Sequence, residues 1–117
     1  MNNKNKLILT ALCFFTFNTF AASSCPQASS VTSPGFCNSF KTAAECHCIS
    51  SGLPRKMCTN YQLLYKRMMD TFGSLQRACE YQHDTTAQDC IDDWNCFLSG
   101  GLTSNSGSCS GTGQSCV

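Results

Sequence analysis

The chain has 117 residues, of which 8 are Lys or Arg, 7 are Asp or Glu and 11 are Cys. A formal charge of +1 excludes the strongly basic balance of a nucleic-acid-binding domain. The length suits one domain, and cysteine density this high in so short a chain points to an oxidising compartment rather than the cytosol.

The first element in chain order reads as a signal peptide, residues 1–21. Lys4 and Lys6 form a basic start without an acid, residues 7–17 are apolar apart from Thr10 and Thr16, and Ala21 and Ala22 supply small residues for cleavage. A transmembrane anchor is the rival, but a span needs roughly 20 apolar residues and this run is shorter. A lipoprotein signal would acylate Cys25, yet Ala22-Ser23-Ser24 lacks the large aliphatic residue such a signal prefers. Cleavage after Ala21 removes 21 of the 117 residues and leaves 96, without Cys13. The ten that remain are Cys25, Cys37, Cys46, Cys48, Cys58, Cys79, Cys90, Cys96, Cys109 and Cys116. An even ten in an exported chain reads as a disulfide framework. A domain this small buries a modest core, and each bridge adds about 2–4 kcal/mol.

Residues 22–36 are rich in Ser and Pro and read as an extended N-terminal segment. The cysteine-rich helical domain is expected over residues 37–101. Thr42 and Glu45 have the spacing of a capping box, so the first helix is expected from there to Ser51, with Cys37 and Phe40 able to add a turn before it. Gly52 then supplies a left-handed stop before Pro54. Met57, Tyr61, Leu64, Met68 and Phe72 repeat at helical spacing and predict one helix with an apolar stripe. Gly73 ends or kinks it, and Ser74 caps a continuation through Cys79. Thr85 or Thr86 opens a last helix with Asp89 in its first turn, whose apolar face is Ala87, Cys90, Ile91, Trp94, Phe97 and Leu98 and whose end is Gly100-Gly101. Residues 102–117 form a Gly/Ser-rich tail, disordered by composition unless Cys109 and Cys116 clip it.

The helical hairpins narrow the bridges. Cys79 and Cys90 are equidistant from the turn at Asp84-Thr85, and Cys48 and Cys58 nearly so from Gly52-Leu53-Pro54. Opposed positions on touching helices reach disulfide distance. The expectation is therefore Cys79–Cys90 and Cys48–Cys58 (or Cys46–Cys58), with Cys109–Cys116 as a local loop. Cys25, Cys37, Cys46 and Cys96 are left to join the N-terminal segment to the helices.

Three groups of residues carry possible chemistry. Cys46-His47-Cys48 holds good zinc or copper ligands, but neighbours on a helix point about 100° apart and cannot all grip one ion. Two bridged cysteines around an exposed His is the plainer reading. His83-Asp84 is a candidate general-base pair, or a polar turn with His at a helix end. Arg55, Lys56, Lys66, Arg67 and Arg77 form a basic set near Tyr65 and Met69, able to dock an anionic surface or to cover the core edge with long side chains. No cofactor motif is present.

The expected fold is all-α: three or four helices in hairpins, stapled by disulfides, with coil arms at both ends. The function expected first is a non-enzymatic interaction protein, secreted or periplasmic, with no membrane span after cleavage. The alternatives are a small secreted hydrolase using His83 and Asp84, and a lipid-binding module lined by Met57, Tyr61, Leu64, Met68, Phe72 and Trp94.

Overall fold

The computed structural model describes residues 24–117, so the expected signal peptide lies outside the described residues. Five helices and no strand occur among them: α1 (Phe36–Ser50), α2 (Arg55–Cys58), α3 (Tyr61–Phe72), α4 (Leu75–Tyr81) and α5 (Ala87–Ser99). No helix among the described residues is long and apolar enough to cross a membrane.

α1 starts earlier than the capping box predicts. It opens at Phe36, and Thr42 sits inside it with its hydroxyl donating to the Asn38 carbonyl. Phe36 and Phe40 lie on the buried face, and burying such aromatic surface outweighs a cap signal. Its end is as expected. Gly52 takes a φ of +82°, and the Leu53 N–H reaches back to the Cys48 carbonyl at 3.3 Å.

The single helix predicted through Met57 and Phe72 is two helices. Thr59 turns its hydroxyl back to the Arg55 carbonyl at 3.1 Å, and Asn60 caps α3 by accepting from the Leu63 N–H at 3.1 Å. Both side chains offer the backbone a local alternative to continuing the helix. Gly73, with φ +84°, ends α3. Ser74 caps α4 and Thr86 caps α5, each accepting from the N–H three residues on.

α1 packs on α2 and α5, α3 on α2 and α4, and α4 on α5. The core is aromatic. Phe40 packs 4.9 Å from Trp94 edge-on and 4.6 Å from Phe97, and Tyr61 meets Phe97 at 5.2 Å. Phe36 and Phe97 are fully buried.

Five disulfides close the framework: Cys25–Cys46, Cys37–Cys116, Cys48–Cys58, Cys79–Cys90 and Cys96–Cys109. The two hairpin bridges match the expectation. The alternative Cys46–Cys58 is excluded because Cys46 holds Cys25, which also leaves no free thiol at Cys25. The local loop Cys109–Cys116 is overturned. Instead Cys109 ties the tail to α5 and Cys116 ties it to α1. The tail can reach both because it folds back on itself: the Gly101 N–H bonds the Gly113 carbonyl at 2.7 Å, and the Cys116 N–H bonds the Phe97 carbonyl at 2.9 Å. Gly100 permits this approach. A Cβ there would stand 2.6 Å from the Gly113 oxygen. The Ser110 N–H then joins the tail to the N-terminal segment at the Val31 carbonyl, 2.8 Å away.

Candidate functional site

The packing leaves a cleft of about 790 Å³ bounded by α1, α3 and the α4–α5 hairpin. Phe40, Ala43, Leu64, Met68, Ala78 and Trp94 give it an apolar lining. Disulfides anchor α1 and the α4–α5 hairpin, and α3 carries none. Cys48–Cys58 joins α1 to α2, and Cys79–Cys90 joins α4 to α5.

The rim is polar, and it unites two stretches that lie far apart in sequence. His47 Nδ1 on α1 stands 3.4 Å from Asp84 Oδ2 in the α4–α5 turn, with side chains 37% and 53% exposed. The fold thus gives Asp84 a different partner from its neighbour His83. His83 is exposed and, among the described residues, has neither a hydrogen bond nor an ion pair on its side chain. Gln27 of the N-terminal segment also donates to the Asp84 carbonyl at 2.8 Å.

One glutamine builds that turn. Gln82 Nε2 donates to the carbonyls of Cys79 and Thr85, and Gln82 Oε1 accepts from the N–H groups of Asp84 and Thr85. These four bonds, between 2.8 and 3.1 Å, satisfy the Cys79 carbonyl at the end of α4 and three backbone groups of the turn itself. Composition marks a turn here but not this role for Gln82.

Asp93 lines the cleft from α5. Among the described residues its carboxyl has no hydrogen-bond or ion-pair partner. Burial first, and then the charges of Asp89 and Asp92, push its pKa up to about 7. Asp93 also lines a second, polar pocket with Asp89, Asp92, Thr103 and Asn105, so this residue borders both the apolar cleft and an acidic pocket. Asp92 is held by Ser104, whose hydroxyl donates to it at 2.7 Å.

Cys46 and Cys48 are both bridged, on either side of His47. Among the described residues no group of three or more His, Cys, Asp or Glu is arranged to hold a metal ion. The basic set is spread over α2, α3 and α4 and is exposed. Arg55 comes within 4.0 Å of Glu45, Lys66 pairs with Asp70 at 3.0 Å, and Arg67 reaches the cleft. Tyr65, placed by sequence beside the basic set, packs on Trp94 at 5.7 Å. Of the residues expected to line a lipid cavity, Leu64, Met68, Phe72 and Trp94 face the cleft. Tyr61 instead packs on Phe97, with its hydroxyl 3.5 Å from the Lys41 carbonyl. Asp93 was missed by sequence reasoning because Asp92-Asp93 looks like an ordinary solvated pair.

The described residues form a small, disulfide-stapled helical domain with an apolar cleft. The chain matches no family model, no curated protein and no solved structure.

Proposed function

We propose that this is an exported, non-enzymatic binding protein, and that the cleft between α1, α3 and the α4–α5 hairpin is its binding site. The observation that carries this reading is the cleft itself. Its volume falls within the roughly 300–1,000 Å³ range of ligand sites, and its surface is mainly apolar, with polar side chains such as Gln27, His47, Arg67, His83, Asp84 and Asp93 around it. Cys48–Cys58 anchors α1 and Cys79–Cys90 ties α4 to α5, which limits how far these two sides of the cleft rearrange on binding and so lowers the ordering cost. Pairing of all ten cysteines in residues 24–117 supports work in an oxidising compartment, secreted or periplasmic. The lining also suits the lipid-binding reading, as one kind of ligand for the same site.

The test uses a neutral apolar probe, N-phenyl-1-naphthylamine, titrated into the oxidised protein. Trp94 is the one tryptophan of the chain and lines the cleft, so its fluorescence reports occupancy. Saturable one-to-one quenching is expected, weakened at least about five-fold by Ala44→Phe, which fills the wall. Absence of saturable binding to the wild type would sink the reading.

A further inference from the structure

We infer that the cleft takes a small amphipathic cation, with its apolar body against Phe40, Leu64, Met68 and Trp94 and its ammonium group beside Asp93. This rests on the cleft being a binding site and adds the chemical class of the ligand.

The inference follows from how two compartments meet. The apolar cleft and the acidic pocket share Asp93, Gln27, Ala28 and Thr85. Asp93 borders both spaces, so a molecule lying in the cleft comes within reach of its carboxyl. Asp89 and Asp92 stand with Asp93 on the acidic side, and no Lys or Arg lines the acidic pocket. The carboxyl of Asp93 is half-buried and has no partner among the described residues. A carboxylate in such surroundings is costly to ionise alone and is stabilised by a cation. An ammonium group restores the lost interaction. An anionic head group would face three carboxylates at this end. Arg67 is the one permanent cation in the lining, and it enters from α3, outside the acidic pocket.

The experiment compares three probes of one chain length at pH 8: decylamine, decanol and decanoate. Each is held below its micellar concentration and followed by Trp94 fluorescence and calorimetry. Decylamine is expected to bind about ten-fold or more tighter than decanoate, with decanol between them. Asp93→Asn, which keeps the shape of the side chain, is expected to remove most of the amine's advantage and to leave decanol unchanged. Equal affinity for all three probes overturns the cation inference and leaves the cleft as a binding site. A preference for decanoate overturns it in favour of Arg67. No binding by any probe overturns the binding-site reading as well. The comparison of head groups on the wild type stands whether or not the Asn variant folds. If that variant folds and keeps the full amine preference, Asp93 is not the recognition group.

Discussion

His47 on α1 and Asp84 in the α4–α5 turn, 37 positions apart in sequence, meet at the rim of the apolar cleft with 3.4 Å between Nδ1 and Oδ2. Both side chains stay partly in water, so the attraction is screened. The pair is expected to contribute less than about 1 kcal/mol to stability. A double-mutant cycle of His47→Ala and Asp84→Ala, measured by chemical denaturation at low and high salt, checks this. A coupling well above that value, or one indifferent to salt, would mean that the rim is held far more tightly than its exposure implies.

Asp93 has a larger effect, and its sign is opposite to that of a salt-bridged acid. In the folded protein its carboxyl keeps the proton up to about pH 7, against 3.8 for the ordinary side chain. The native state therefore binds more protons than the unfolded state between those values. Stability contributed by this group is fully present below pH 3.8 and is lost as pH rises towards and through 7. Burial sets this first, and then the charges of Asp89 and Asp92 on the same helix; His47, His83, Asp84 and Arg67 also line the cleft. Asp93→Asn should be more stable than the wild type by about 1–2 kcal/mol at pH 8, the partial exposure having reduced the full effect. The difference should shrink towards zero near pH 4. Urea denaturation of both proteins across pH 4–8 reads it, and a variant less stable at pH 8 would contradict the assignment.

Gln82 closes the α4–α5 turn with four backbone hydrogen bonds from one side chain. Gln82→Ala leaves those groups to water and should cost about 1–2 kcal/mol. The loss should be local as well as global. Amide exchange at Asp84 and Thr85 should quicken many-fold, while amides of α1 should respond only to the global change. Unchanged exchange at these two positions would show that the turn is held by Cys79–Cys90 without the glutamine.

The bridge Cys37–Cys116 spans 79 positions, the longest separation of the five, against 11 for Cys79–Cys90. Entropy of loop closure rises with span, so replacing Cys37 and Cys116 together by Ser should cost about 4 kcal/mol, and the Cys79/Cys90 pair about 3 kcal/mol. The first replacement should also free the tail, read as faster exchange at the Cys109 and Gly113 amides, which bond Gly101 and Cys109. The cleft should survive it, because Cys116 does not line that site. Loss of probe binding in that variant would show that the tail supports the cleft.

What was legible in the sequence is what local chemistry decides. Helical spacing marked the segments, Ser74 and Thr86 marked two starts, and Gly52, Gly73 and Gly100 marked three ends, because capping and positive φ depend on nearest neighbours alone. The bridges Cys48–Cys58 and Cys79–Cys90 were legible for the same reason, each closing a hairpin over a short turn. The long-range partners were not. The Cys96–Cys109 and Cys37–Cys116 bridges, His47 beside Asp84, and Asp93 between an apolar and an acidic space all depend on how α1 lies across α5 and how the tail folds back through Gly100. Those distances are set by burial of Phe36, Phe40, Trp94 and Phe97 in one core. Hydrophobic burial is non-directional, so the chain alone states that these side chains will be buried, and only the packed structure decides which polar groups they bring together.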